Sequence, residues 1–145
     1  MNAAIDDIGN NSILALALLS WILAQLIKFW LGIWREKKVD LTLLTKSGGM
    51  PSGHSALVTA MAVGVGRENG YDSGIFALAV AFALIVMYDA AGVRQAVGIQ
   101  AQILNDLLYD MYRGSRFTPV RIKEILGHTP VEVLAGAALG LAVSL

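Results

Sequence analysis

Two histidines, His54 and His128, are the only imidazoles in a chain of 145 residues that has no cysteine. Both stand at the start of an apolar run. His54 closes the string GGMPSGH that begins at Gly48. Glycines let the backbone turn so that successive N–H groups point at one place, and a helix that follows adds the positive end of its dipole. The string therefore reads as an anion-binding nest. Within it Ser52 and the Gly53 amide are donors, and His54 gives or takes a proton at a bound oxyanion. A plainer reading makes Ser52 the N-cap of a helix and His54 a bystander, which leaves the histidine and the paired glycines unexplained. His128 opens the string HTPVE. Glu132, one turn on, is placed to hold one imidazole nitrogen and leave the other unprotonated, as a nucleophile needs. Thr129, Pro130 and Glu132 also spell a capping box, which by itself accounts for the glutamate.

Cations are spaced to serve the same chemistry. Lys28 and Arg35 are seven residues apart, two helical turns, and so point to one side of a helix. A lysine inside an apolar run is expensive and calls for a polar interior partner. Arg35 also reads as an arginine snorkelling at a helix end. Arg94 follows an apolar run and can clasp phosphate oxygens bidentately, or pair with Asp89. Lys46 is a further cation within reach of the nest in sequence. Two histidines without a carboxylate cluster or His-x-x-x-His spacing do not make a metal site, so no metal is expected. No cofactor is expected either, since the chain has no Walker loop, dinucleotide fingerprint or Gly-x-Ser-x-Gly elbow.

The elements that must position these groups are helices in lipid. Hydrophobic residues make up 56% of the chain and charged ones 15%, with 15 Gly, 3 Pro and a formal net charge of zero; mean hydropathy is +0.62. That balance excludes an ordinary soluble domain, and the absence of a basic excess excludes nucleic acid as a partner. Ser12–Trp34 is apolar over 23 residues, roughly 34 Å as a helix, enough for a hydrocarbon core of about 30 Å. Residues 1–10 contain Asp6 and Asp7 and no Lys or Arg, so this run reads as a retained helix, not a signal peptide. A shorter helix is expected over 54–66, and an apolar one over 75–88 that continues to Arg94. Residues 97–113 alternate apolar and polar positions at helical spacing and predict an amphipathic helix. Thr118 and Pro119 open a short helix closed by Gly127. A last apolar helix over 130–145 places Gly136 and Gly140 on one face, where another helix can approach closely. The expected fold is an all-α integral membrane bundle, one domain over 1–145, with about four membrane-embedded helices plus the amphipathic one. Alternate crossing puts ten of the eleven Lys and Arg on one side and Arg67 alone on the other. By the positive-inside rule that side is cytoplasmic, with both termini outside. It is also the side of both histidines. The small-residue faces can pack within one chain or across a homodimer.

From Lys28 onward these residues resemble the superfamily of type 2 phosphatidic acid phosphatases and vanadium-dependent haloperoxidases, and more closely its divergent small membrane branch. The superfamily's blocks are Lys, six residues, Arg-Pro; Pro-Ser-Gly-His; and Ser-Arg, five residues, His, three residues, Asp. Lys28 to Arg35 keeps the first spacing, with Glu36 in place of Pro. Pro51, Ser52, Gly53 and His54 match the second in full. His128 and Glu132 keep the third spacing, with Glu for Asp. Ile122 stands where the third block has its arginine; Arg121 is one position off, and Arg94 is the better counterpart, with about 99–126 inserted after it. The resemblance implies metal-free hydrolysis of a phosphomonoester in two steps, sensitive to vanadate. His128 would form a phosphohistidine with Glu132 orienting it, and His54 would protonate the leaving oxygen. Lys28, Arg35, Lys46, Ser52, Gly53 and Arg94 would bind phosphate. A site at a membrane face implies a phospholipid or prenyl phosphate substrate and the lipid bilayer as partner. Two alternatives remain at this point: a non-catalytic membrane protein that keeps the anion nest for sensing, scaffolding or transport, and a vanadium-dependent oxidase.

Overall fold

The computed structural model describes residues 2–37, 49–112, 122 and 127–145, with the backbone alone for residues 2–5, Arg35, Glu36 and Arg94. Every regular element among the described residues is a helix: α1 (Asn2–Gly9), α2 (Ser12–Glu36), α3 (Gly53–Asn69), α4 (Gly74–Ala91), α5 (Val93–Tyr112) and α6 (Pro130–Ser144). The chain is an all-α membrane helical bundle. The short helix α1 has no counterpart in the sequence reading. The helix expected from 118 to 127 lies outside the described residues apart from Ile122 and Gly127.

Local chemistry sets the helix ends. Asn11 caps α2, its side chain accepting from the Leu14 N–H at 2.8 Å. Lys37 closes α2 in the left-handed region at φ 52°, its N–H bonded to the Ile33 carbonyl. Ser73 caps α4 through the Phe76 N–H. The helix anticipated from 75 through Arg94 does not run unbroken. It ends at Ala91, and Arg94 belongs to the first turn of α5. Gly92 separates the two, its N–H bonded to the Tyr88 carbonyl and its carbonyl accepting from Ala96. The hydrophobic pattern passes straight through this position, whereas glycine is a poor helix former and interrupts the helix there.

Helix α3 is the centre of the bundle, packed against α2, α4 and α6. It runs antiparallel to α2: Gly64 abuts Ile13, and Gly53 abuts Trp21 and Gln25. It runs parallel to α6. A Cβ added at Gly136 would collide with the Ser52 carbonyl, and one at Gly140 with the Ala56 carbonyl, while Ser144 Oγ reaches the Ala60 carbonyl at 3.4 Å. Three small residues at intervals of four thus seat α6 on α3 at backbone distance, the close-approach face anticipated from Gly136 and Gly140. The buried core is built mainly of alanines, Ala24, Ala56 and Ala60 among them, while Trp30, Leu78 and Ile85 point outward. Small side chains inside and large apolar ones outside is the arrangement expected when the solvent is hydrocarbon. At the end of the bundle far from the histidines, Arg67 donates to the Ser144 carbonyl and Ser12 donates to Glu68. The C-terminal end of α6 thereby receives a cation and the N-terminal end of α2 an anion, the signs that helix dipoles favour.

Candidate functional site

The residue just before the N-cap of α6 is His128. Thr129 is the N-cap, accepting from the Glu132 N–H at 3.4 Å, and Glu132 Oε2 accepts from the Thr129 N–H at 3.1 Å. The same Oε2 lies 3.1 Å from His128 Nδ1. The oxygen that completes the capping box is therefore also the one that faces the imidazole. The ring nitrogen that Glu132 does not face is Nε2. On the main chain, the His128 N–H donates to the Ala90 carbonyl at the end of α4, at 3.0 Å. With 5% of its surface exposed, His128 is held at both its ring and its main chain.

The start of α3 meets it. Ser52 is the N-cap and is fully buried. Its Oγ accepts from the Ser55 N–H at 3.4 Å and from the Ser55 hydroxyl at 2.9 Å. The capping reading of Ser52 is thus realised, and its own hydroxyl proton is left to give. The Ser52 N–H donates to the Glu132 carbonyl at 2.9 Å, so the two histidine-bearing strings, far apart in sequence, are tied by a main-chain bond. His54 projects outward as an exposed ring. Its centroid lies 6.3 Å from that of His128, with the planes inclined at 65°.

Helix α2 closes the site from the side. Lys28 is 8% exposed. Its aliphatic stem lies against Gly49, whose φ of +85° suits glycine and where an added Cβ would stand 3.5 Å from Lys28 Cγ and Cδ. The Glu132 carboxylate is the charged group that acts on the buried Lys28 ammonium, favouring its cationic form.

The structure thus brings together His128, Glu132, His54, Ser52, Gly53 and Lys28. The Arg35 backbone is in α2, about 10 Å beyond Lys28 along the axis, and the Arg94 backbone is in α5, four positions after Ala90; neither side chain is among those described. Lys46 and Arg121 lie outside the described residues. Sequence reasoning missed three participants. The Ala90 carbonyl is a main-chain group without any signal. Gln25 and Trp21 face Gly53 from α2, and a Cβ at Gly53 would lie 3.1 Å from Gln25 Nε2. Gln25 is legible in retrospect as a polar residue inside an apolar span, one turn before Lys28. The bundle's opposite end holds an open groove of about 570 Å³ between α2 and α3, which contains no histidine.

The Divergent PAP2 family model matches residues 9–143. The uncharacterized membrane protein YuiD of Bacillus subtilis (strain 168) is 40% identical over 150 residues, covering 96% of this chain and 95% of that protein. No solved structure matches the chain.

Proposed function

Because the chain belongs to the divergent PAP2 family, we propose that it is a multi-pass membrane phosphatase that hydrolyses a phosphomonoester through a phosphohistidine, with its site at the cytoplasmic face. The observation that supports this most directly is the pairing of His128 Nδ1 with Glu132 at 3.1 Å while His54 stands opposite at 6.3 Å between centroids. Two groups that act on opposite sides of one phosphorus must be near and must not touch.

In the first step His128 Nε2 attacks phosphorus and the bond to the leaving oxygen breaks, that oxygen taking a proton from His54. In the second, water attacks the phosphohistidine, the N–P bond breaks, and the water's proton passes to His54. Glu132 fixes the tautomer and stabilises the cationic ring as the N–P bond forms. Lys28, the Ser52 hydroxyl and the amides at the start of α3 offset charge on the phosphoryl oxygens, assisted by Arg35, Lys46 and Arg94. A membrane-facing site favours a phospholipid or prenyl phosphate, whose tails remain in the bilayer.

The test is phosphate release by purified protein in detergent with EDTA, from short-chain phosphatidate, phosphatidylglycerophosphate and prenyl phosphates, beside His128→Ala. Release that survives EDTA and is lost in the variant supports the proposal. No release from any substrate, with phosphate or vanadate still raising Tm, would replace it by the second reading, a non-catalytic anion-binding protein. That reading has one observation in its favour: the capping box gives Glu132 a structural purpose without catalysis.

A further inference from the structure

The groove at the end remote from the histidines has the make-up of an amphiphile site. Its wall is apolar, formed by Ala15, Leu16 and Leu19 of α2 beside Gly64 of α3. Its rim is charged with both signs, Arg67 and Glu68, at the last turn of α3. At about 570 Å³ it falls within the range of sites that hold small ligands, roughly 300–1,000 Å³.

The rim is also held in place. Arg67 Nη1 is engaged by the Ser144 carbonyl and Glu68 Oε1 by the Ser12 hydroxyl. Each contact uses one donor or one acceptor. A guanidinium has five N–H groups and a carboxylate two oxygens, so the rest of the fork and Glu68 Oε2 remain to be used, and among the described residues they have no further partner. Among the described residues Arg67 is the one Lys or Arg at this end, since Lys28 and Lys37 lie toward the C-terminal end of α2.

We propose that this groove binds a phospholipid with a phosphate and a primary ammonium in its headgroup, one acyl chain lying along Leu16 and Leu19. Charge complementarity selects the occupant. The lipid phosphate accepts from the Arg67 fork, and the ammonium donates to Glu68 Oε2. A purely anionic headgroup would place its charge against Glu68 without compensation. A quaternary ammonium has no N–H to give the carboxylate. The site is separate from the histidine centre, and the proposal stands whether or not that centre is catalytic.

The experiment is lipid retention by the full chain, purified in a non-ionic detergent and measured by native mass spectrometry. Phosphatidylethanolamine, phosphatidylcholine and phosphatidylglycerol with the same acyl chains are supplied in equal amounts, and Tm is recorded with and without each. Wild type is expected to retain phosphatidylethanolamine about tenfold over phosphatidylglycerol, the worth of one charge-assisted hydrogen bond. Glu68→Gln should erase the preference over phosphatidylcholine. Ala15→Phe fills the groove and leaves both rim contacts intact; it should bring retention to background at an unchanged lipid-free Tm. Equal retention of the three lipids by wild type, a preference for phosphatidylglycerol, or a phosphatidylethanolamine preference that persists in Ala15→Phe would each overturn the assignment.

Discussion

Replacing Glu132 by glutamine removes a charge and keeps a cap. In the native chain Oε2 accepts from both the Thr129 N–H and His128 Nδ1, each at 3.1 Å. Glutamine is as acceptable as glutamate at the third position of a capping box, so its amide oxygen can hold the Thr129 N–H and stability should change by less than about 0.5 kcal/mol. The bond to His128 changes in kind. A hydrogen bond to a charged partner contributes about 1.5–3 kcal/mol and a neutral one about 0.5–1.5 kcal/mol, a difference on the order of 1–2 kcal/mol. Because the ring becomes cationic only as it attacks phosphorus, the difference falls on the transition state and lowers kcat by roughly 5–30-fold. Glu132→Ala should lose the cap as well, about 1 kcal/mol, at a similar or greater cost in rate. Initial rates of phosphate release and Tm would be measured on both variants in the same detergent. A Glu132→Gln protein with the wild-type rate would show that the carboxylate serves only as a cap, and the nucleophile assignment of His128 would lose its support.

Three further outcomes follow from the geometry. Gly140→Ala should lower Tm by forcing α6 away from the Ala56 carbonyl while activity per folded molecule holds, whereas Gly136→Ala, set against Ser52, should lower both; an unchanged Tm in the two would refute the close α3–α6 approach. Lys28→Met should reduce kcat/KM by at least about tenfold without a loss of Tm, since burial of that charge is costly, and Arg35→Met should cost less because its backbone lies about 10 Å further along α2. Equal losses would refute the ranking of the two cations. Asn105 pairs with both the carbonyl and the N–H of Ile122 at 2.8 Å, a two-point clamp that only an amide can make. Asn105→Leu should therefore speed limited proteolysis between Tyr112 and Gly127, and Asn105→Asp should fall between it and wild type; indifference of the cleavage rate to both changes would rule the clamp out.

Much of the site was legible because its logic is topological. Once His54, His128 and Lys28 are assigned to helices that cross alternately, they must share one end, and the end they share is where they meet. Gly136 and Gly140 were legible for a similar reason: glycine has no other purpose at such spacing inside an apolar helix. What was not legible depends on main-chain geometry. No residue type announces that the Ala90 carbonyl holds the His128 N–H, or that Ser52 and Glu132 join through their backbones. The break at Gly92 was hidden because hydrophobicity continues across it. The capping of Thr129 and the contact with His128 are not exclusive for Glu132, because a carboxylate oxygen with two lone pairs can accept twice.

The depth of the site explains why two of its helices are short. With α3 antiparallel to α2, the contact of Ile13 with Gly64 and those of Trp21 and Gln25 with Gly53 set the register, so α3 begins opposite the middle of α2. From Gln25 to Glu36 helix α2 continues for about 17 Å past that point. Helices α3 and α6 have 17 and 15 residues, about 26 and 22 Å, less than the roughly 30 Å of a hydrocarbon core. Non-helical backbone at membrane depth is tolerated only where protein or a polar cavity surrounds it. The first condition holds at these two N-termini: Ser52 and His128 are buried, and their main-chain N–H groups are bonded to Glu132 and Ala90. Lys28 lies on the part of α2 that no α3 helix faces, one turn beyond Gln25 and against Gly49. A lysine there is adjacent to the N-terminal ends of two helices, and an anion is what the positive ends of their dipoles favour. The short helices, the embedded lysine and the buried His128 are therefore consequences of one arrangement, in which α3 and α6 begin beside the middle of α2.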